Sequence, residues 1–400
     1  MEVKQSPQLD LTYCTNIHPA NGWPAVLAGL QQHVLEIKQR VAPDQAFGIG
    51  LRLSGQESHE LLQPATLAAF QAWLTEHNLY IFTLNGFPYH PFHQQPVKDQ
   101  VHAPDWREPE RVAYTLRLIE ILAALLPKGM HGSISTSPLS YKPWFADLAS
   151  VPWTLLNRHV LQVVAGLVRL ERERGIFIQL AFEPEPDGLL ETSSELISYF
   201  EQLLAVGAAE LAAMLDCSLL EAQTAIHRHV AACLDTCHCA VAYEAPRTVI
   251  ANYQAAGMSI AKVQLSSALQ VEFGDDRQAV AAALAPFSEA IYLHQVIQRN
   301  RDGSLLQYRD LPQALAAIDD PQACEWRIHF HVPIFTSSFG VLNATQPALL
   351  ECLQLLNEQP YSQHLEIETY TWDVLPSQLK LDLTESIARE YAWVLHELKR

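Results

Sequence analysis

Apolar runs of strand length alternate along the chain with longer stretches of helical periodicity. The strand candidates are continuous apolar segments bounded by polar or turn residues, and they cover residues 11–17, 47–54, 79–85, 131–137, 176–183, 229–235, 260–267, 326–335 and 365–372. Helical candidates include residues 23–41, 108–126 and 151–174. Alternation of strand and helix over 400 residues predicts an α/β fold, and we expect a (β/α)8 TIM barrel formed by a single domain, residues 1–400.

The strand candidates outnumber the eight strands that a TIM barrel requires. We therefore expect one of the last three runs (260–267, 326–335 and 365–372) to lie outside the closed sheet, unless one assignment is wrong. Residues 292–308 have the pattern of a β-hairpin that turns at residues 301–303, where the sequence reads Arg-Asp-Gly. This pattern predicts an extra hairpin in the C-terminal third, near the rim of the barrel.

Three of the predicted strands end in a carboxylate: Glu183, Asp235 and Glu368. The carboxyl ends of parallel strands meet at one mouth of a barrel, so we expect these side chains to converge there and hold a divalent metal. His238 follows three residues after Asp235, and oxygen with imidazole suits zinc, manganese, iron or magnesium. Each of these residues also has a structural alternative. Asp235 would cap the next helix, and His238 would stack on a neighbour. Glu183 would be a solvated loop acid, although that description fits Glu185 better.

Side-chain parity places further polar residues on one face of the predicted strands. Buried polar groups are costly unless they are paired or bind a ligand, so this face predicts a polar pocket in the upper barrel. The candidate substrate-binding residues are His238, Lys262, Gln264, Arg52, Asn85 and His93. For Lys262 and Arg52 the alternative is charge balance against the carboxylates. His93 belongs to a Pro- and His-rich stretch, 87–106, which we expect to cover the mouth as a lid.

Other polar residues of this face widen the choice of ligands. His329 and His331 share the polar face of the run 326–335, and His294, His18 and His90 are further candidates. Glu366 lies one pleat below Glu368 and needs another partner, so Glu368 is the expected ligand. Glu183 and Glu368 are also the candidate catalytic acid–base residues.

Composition narrows the classes of partner. The formal net charge of −18 opposes nucleic acid and anionic membrane surfaces. Seven cysteines, an odd number, indicate reduced thiols, and Cys237 and Cys239 are expected to be core thiols because no second cysteine pair stands at zinc-finger spacing. The polar start and the lack of an apolar run of membrane-spanning length predict a cytoplasmic protein without membrane insertion. Phosphate-loop, dinucleotide and serine-elbow motifs are missing.

The carboxylates Glu183 and Glu368 with the Asp235-x-x-His238 motif resemble the xylose-isomerase-like barrel superfamily. This resemblance implies one to three divalent metals, with the two glutamates as ligands that also shuttle a proton beside a ketone. The superfamily normally supplies a histidine ligand from the seventh strand, where this chain has Gln264. This departure puts metal dependence in doubt, and His331 or His294 is the expected substitute. The expected metal ligands are thus Glu183, Asp235, His331 and Glu368.

Several phrases spread over nearly the whole chain resemble the EboE family of metabolite-traffic proteins. They are LTYCTNIHPANGW (11–23), TLNGFPYHPFH (83–93), EPEPDG (183–188), LDTCHCAVAYE (234–244), KVQLSSAL (262–269), WRIHFHVPIF (326–335) and LEIETYTWDVLP (365–376). The resemblance implies a role in moving a metabolite precursor and a prenyltransferase-like membrane partner encoded in the same gene cluster. It defines no chemical activity.

Two functions follow as hypotheses. The first is a metal-dependent isomerase or epimerase acting on a sugar-like polyol or ketone. The second is a non-catalytic carrier or scaffold that binds a small metabolite in the same pocket, which the glutamine at position 264 and the absence of an obvious nucleophile favour. An endonuclease is disfavoured by the acidic net charge and the lack of a basic stripe.

Overall fold

A computed structural model describes residues 1–5, 8–91, 97–372, 375 and 382–399. The strands are β1 (Glu2–Gln5), β2 (Gln8–Tyr13), β3 (Phe47–Arg52), β4 (Leu79–Asn85), β5 (Gly132–Thr136), β6 (Ile178–Phe182), β7 (Val230–Asp235), β8 (Ile260–Leu265), β9 (Ala268–Glu272), β10 (Val296–Asn300), β11 (Leu305–Tyr308), β12 (Ala323–His331), β13 (Ser338–Phe339), β14 (Leu342–Ala344) and β15 (His364–Ile367).

The helices surround and connect these strands. They are α1 (Trp23–Gly29), α2 (Leu35–Val41), α3 (Gly55–Leu61), α4 (Pro64–Glu76), α5 (Pro109–Leu125), α6 (Trp153–Arg174), α7 (Ser193–Gln202), α8 (Ala208–Leu215), α9 (Leu219–His229), α10 (Thr236–Val241), α11 (Pro246–Ala255), α12 (Arg277–Leu284), α13 (Leu311–Ala316), α14 (Gln346–Glu358) and α15 (Leu383–Glu397). Single π-helical turns, Leu30–Val34 and Leu203–Gly207, join α1 to α2 and α7 to α8.

Eight parallel strands form the barrel, which confirms the predicted fold. Neighbouring strands follow the order β2-β15-β8-β7-β6-β5-β4-β3, and β1 pairs antiparallel on the outer side of β2. A parallel bridge between Cys14 and Gly50 brings β2 and β3 together and closes the ring. All eight strands coincide with predicted runs. Their inward and outward faces are almost entirely buried, as expected for a parallel sheet covered by helices.

The predicted run 326–335 is the one that lies outside the barrel. It contains β12, the third strand of an antiparallel sheet ordered β11-β10-β12-β9-β14-β13. The predicted hairpin is present as β10 and β11, with Val296 paired to Tyr308 and Arg299 to Leu305. Strand β12 was indistinguishable from a barrel strand by sequence because it too is buried on both faces. Strand β9 begins three residues after β8 ends, so this second sheet grows from the carboxyl end of the barrel.

The predicted helical stretches are confirmed as α1–α2, α5 and α6. Serine or threonine with a glutamate three residues later caps α3, α7 and α9, which explains where these helices begin. The expectation that no segment has membrane-spanning length is wrong for Ser193–Leu215, a helical segment of 23 residues with a mean hydropathy of 1.3. By length and composition alone it is long and apolar enough to span a membrane, but it packs against α6, α9 and α11.

Candidate metal centre at the barrel mouth

Three carboxylates from distant parts of the chain meet at the carboxyl end of the barrel. Glu183 follows β6, Asp235 ends β7 and Glu368 follows β15. Oxygen atoms of the three side chains lie within 4.8 Å of one another, and the residues are at most 5% exposed. The structure therefore brings together the three acids that strand parity predicted to converge.

Asp235 has both the structural and the site role that the sequence left open. Its Oδ1 accepts hydrogen bonds from the backbone N–H of His238 (2.9 Å) and from Ser266 Oγ (2.8 Å), so it caps α10. Its Oδ2 is buried and has no hydrogen-bond partner among the described residues. One oxygen thus fixes the side chain while the other remains available to a ligand.

Three imidazoles adjoin these acids in a common orientation. Nδ1 of His238 bonds to Pro184 O (3.0 Å), and Nδ1 of His331 bonds to Glu368 O (2.6 Å). Nδ1 of His329 bonds to the side-chain oxygen of Gln295 (2.9 Å). Because each of these oxygens can only accept, Nδ1 carries the proton in all three rings and Nε2 presents a lone pair. Metal-binding histidines are commonly oriented in this way by a second hydrogen bond.

The donor atoms form several overlapping groups in which all members lie within 4.8 Å of one another. Besides the three carboxylates, these are Asp235 with His238 and His331, Glu185 with His238 and His329, and Cys237 with His329 and His331. Nε2 of His329 and of His331 is buried without a hydrogen-bond partner among the described residues, as is Oε2 of Glu183. Buried lone pairs without hydrogen-bond partners, in groups as compact as these, fit a divalent cation.

Glu368 is held by two amides from the opposite side of the barrel. Its Oε1 accepts hydrogen bonds from Asn16 Nδ2 (2.8 Å) and Asn85 Nδ2 (2.9 Å). The Asn85 amide is oriented in turn, because its oxygen accepts the backbone N–H of Phe87 (3.1 Å). Asn85 was predicted to bind substrate. It does line the cavity, but its amide nitrogen is directed to the carboxylate.

Burial sets the charge state of the site. It raises the pKa of Glu183 and of Glu368 well above the usual range, and the neighbouring carboxylates raise both pKa values further. Burial also lowers the pKa of His238 and His329 well below the usual value, so both imidazoles are neutral at physiological pH. The converging carboxylates repel one another, and this repulsion is relieved either by a proton or by a bound cation.

Two other predicted binding residues lie deeper in the barrel. Lys262 Nζ forms an ion pair with Glu366 Oε2 at 2.5 Å, and both side chains are fully buried below the cavity. This is the charge-balance alternative, with Glu366 as the partner. Gln264, on β8, is in register with Asp235 on β7 and with Glu366 on β15, the two strands that flank β8. Both polar atoms of its side chain are buried without a hydrogen-bond partner among the described residues.

Arg52 and His93 do not extend the described site. The guanidinium of Arg52 donates to the carbonyl oxygens of Pro88 (3.0 Å) and His90 and lies 3.6 Å from Glu57. It lines a separate, small pocket and anchors the beginning of the long loop rather than reaching the carboxylates. His93 lies outside the described residues, so its predicted role remains untested.

A cavity of about 90 Å³ opens above the acids. Its floor carries Glu183, Glu185, Glu368, His238 and His329, and its walls include Phe87, Pro88, Val97, Val101, Tyr292, Leu293 and Tyr370. The expectation that Glu185 is a solvated loop acid is wrong, since the residue is only 6% exposed and burial raises its pKa well above the usual value. His102, whose pKa burial lowers to about 3, lies 3.3 Å from the Glu185 carboxylate.

The second, antiparallel sheet also supplies residues to the site, and the sequence analysis named only some of them. His329 and His331 belong to β12 and Gln295 immediately precedes β10, so the second sheet completes one side of the site. The alternation of histidine with apolar residues in β12 was the available signal. His294 is not part of the donor groups. Its Nε2 pairs with Glu289 (2.7 Å) and its Nδ1 with the His329 carbonyl (3.1 Å).

Solved structures with the same architecture cover nearly the whole chain. A xylose isomerase-like TIM barrel protein from Mycobacterium smegmatis, in complex with magnesium, is 12% identical with a TM-score of 0.51, covering 98% of this chain and 96% of its own. The fold is that of the xylose-isomerase-like TIM barrels.

Two other solved structures are similar over the same extent. A xylose isomerase domain protein from Planctomyces limnophilus is 9% identical with a TM-score of 0.49, covering 98% of this chain and 97% of its own. The IOLI protein with a zinc atom is 10% identical with a TM-score of 0.46, covering 98% of both chains. No known protein-family model matches the sequence, and comparison with curated proteins gave no match. At these identities the similarity establishes the fold alone.

Proposed function

We propose that the protein binds a divalent metal at the barrel mouth and acts as an isomerase or epimerase on a small, hydroxyl-bearing metabolite. The observation that carries this proposal is the meeting of three buried carboxylates at the barrel mouth, where Asp235 also adjoins His238 and His331 and where Glu183, Glu368 and His238 line the cavity. Glu183, Asp235 and Glu368 would hold the cation, with His238 or His331 as the nitrogen donor. These histidines replace the imidazole that the chain lacks at Gln264. The donor set suits zinc, manganese or iron better than magnesium.

The chain's own residues supply proton transfer and orientation. A bound divalent metal would polarise a substrate carbonyl and stabilise negative charge beside it. Glu183 is the favoured acid–base group, because one of its oxygens is unpartnered among the described residues and because burial and the neighbouring Asp235 raise its pKa, which favours a carboxyl that can carry a proton. Glu368 is the second candidate, although two amides already occupy its Oε1. Asn16 and Asn85 thus keep the Glu368 carboxylate in one orientation.

The lining of the cavity favours a neutral ligand over a phosphorylated one. Among the described lining residues Lys98 provides an ammonium group, and it is 2.8 Å from both the Asp310 carboxylate and the Tyr292 carbonyl oxygen. Apart from the proposed metal itself, the described lining residues offer a phosphate monoester no cation that is not already paired. The upper walls are apolar and aromatic. We therefore propose a ligand with a hydroxyl-bearing head at the floor and a short apolar portion between the walls.

The experiment that tests the proposed function combines metal content with proton exchange. Elemental analysis of the purified protein should give at least one divalent metal per chain. Incubation in deuterated water with a panel of ketoses, cyclic polyol ketones and their phosphate esters should give deuterium incorporation into a non-phosphorylated compound. Glu183→Gln should abolish exchange, whereas Glu120→Gln at the exposed surface should leave it unchanged. Bound metal without exchange across the panel would contradict the isomerase function.

A non-catalytic carrier is the second candidate, and the glutamine at position 264 favours it. We propose, on the EboE resemblance, that the protein takes part in metabolite traffic in the cytoplasm beside a prenyltransferase-like membrane partner. In that case metal-stripped protein should bind the metabolite as tightly as the metal-loaded protein. Isothermal titration with both forms distinguishes the two functions, because metal-dependent binding would contradict the carrier. The net charge of −18 further supports a small-molecule partner rather than nucleic acid.

A further inference from the structure

We propose that Cys237, His329 and His331 form a second, thiolate–imidazole cation site beneath the floor of the cavity. The inference extends the proposed metal centre, since it assigns His331 to this second site and leaves His238 as the nitrogen donor beside the three carboxylates. It also gives Cys237 the role of a metal ligand instead of the core thiol expected from the sequence.

Geometry brings the three donors together. Their ligand atoms lie within 4.8 Å of one another, and the three residues are 0%, 6% and 0% exposed. Each imidazole has its Nδ1 fixed by an oxygen acceptor, His329 by Gln295 and His331 by the Glu368 carbonyl. Each also has a buried Nε2 without a partner among the described residues. Two unsatisfied lone pairs beside a thiol are costly in a dry interior, and a cation would satisfy both at once.

The fold explains why this thiol is held in place. Cys237 lies in the first turn of α10, and its backbone N–H donates to Ser266 Oγ at 2.9 Å, next to the end of β8. Helix α10 packs against β12, the strand that carries both histidines. Cys237 also belongs to a buried apolar cluster with Val241, Ala268 and Ile297. A cation at this point would therefore join the second sheet to the barrel.

The donor types define the class of metal. One sulfur and two imidazole nitrogens suit zinc, cobalt or ferrous iron in a tetrahedral arrangement, whereas magnesium and manganese prefer oxygen. The thiol must release its proton to solvent when the sulfur–metal bond forms, because the thiolate is the ligand. The second site is thus expected to select thiophilic metals, while the carboxylate group accepts harder cations.

Cobalt spectroscopy on the metal-stripped, full-length protein tests the assignment. Titration with Co²⁺ should bind two equivalents and produce a thiolate-to-cobalt charge-transfer band in the near ultraviolet, together with visible ligand-field bands. Cys237→Ser should lose the charge-transfer band and one equivalent of cobalt. Cys239→Ser, two residues along the same helix, is the matched control and should keep both.

Glu183→Gln separates this inference from the proposed function. It removes a ligand of the carboxylate group, so it should weaken one equivalent of cobalt and leave the charge-transfer band intact. A wild-type protein that binds cobalt without the band, or a Cys237→Ser variant that folds by circular dichroism and keeps the band, would overturn the thiolate site alone. A protein that binds no cobalt would overturn the thiolate site and the proposed metal centre together.

Discussion

Asp235 both caps α10 and contributes an oxygen to the proposed metal site, and Asp235→Asn should remove only the second role. Asparagine is as good an N-cap as aspartate, so its oxygen can keep the hydrogen bonds to the His238 N–H and Ser266 Oγ. The substitution replaces the unpartnered Oδ2 with a donor amide, which cannot ligate a cation. We therefore expect metal affinity and metal-free stability to change in opposite directions.

The size of both effects follows from the geometry. Loss of an outer hydrogen-bond partner of a metal ligand weakens binding 10- to 100-fold, so loss of a direct ligand should cost at least about 100-fold, roughly 2.7 kcal/mol. In the metal-free protein, Asp235 lies within 4.8 Å of Glu183 and Glu368 and raises the pKa of both. Removing this charge should stabilise the metal-free protein, by up to about 3.5 kcal/mol for each ionised neighbour at an effective dielectric of roughly 20.

The assay is a zinc competition titration against a chromophoric chelator, paired with thermal unfolding in excess chelator. The expected result is weaker zinc binding with a higher midpoint of unfolding for the metal-free variant. Asp235→Ala serves as the control, because it loses the cap as well and gives up about 1 kcal/mol of the gain. Zinc affinity equal to that of the wild type, or a metal-free variant less stable than the wild type, would refute the reasoning.

Three further predictions concern charge and close packing. Burial raises the pKa of Glu390 to about 8, so the contribution of this group to stability should be fully present below pH 4.5 and should be lost, by about 5 kcal/mol, as pH rises from 4.5 to 8. Denaturation across pH should show no such component for Glu390→Gln. Gly50→Ala places a methyl group 1.8 Å from Glu366 Oε1, so it should destabilise the protein by about 1–3 kcal/mol or more. Gly274→Ala adds its methyl group in open space and should leave the stability unchanged. The midpoints of thermal unfolding of the two variants test this difference. The raised pKa of Glu183 means that zinc should bind more tightly as pH rises and release protons, which calorimetry in buffers of different ionisation enthalpy measures.

Most of the fold was accessible from the sequence because strands buried on both faces appear as apolar runs. The same property left open which of the last three predicted runs lies outside the barrel. Strand β12 is as apolar as a barrel strand, and its location is decided by pairing with β9 and β10, which are antiparallel. Local sequence carries no information on which partner a strand will choose. The extra hairpin was recognisable because its turn residues are local.

Strand parity predicted part of the candidate site. Parity places Glu183, Asp235 and Glu368 on the inner face, and the structure brings them together. It could not separate Lys262 from the cavity, because the partner of that lysine, Glu366, is more than a hundred residues away. It also could not reveal that Glu185 is buried, since loop acids are usually solvated and here a residue distant in sequence, His102, lies against the carboxylate.

The hydrogen bond between Asn16 and Glu368 joins residues 352 positions apart, where the first and last barrel strands lie side by side. A nascent chain therefore cannot assemble the three-carboxylate group until residue 368 has left the ribosome. Metal ions cannot guide the early steps of folding through these acids, and partial translation products hold no complete site. Metal uptake by the carboxylates would serve as a marker that the ring of barrel strands has closed.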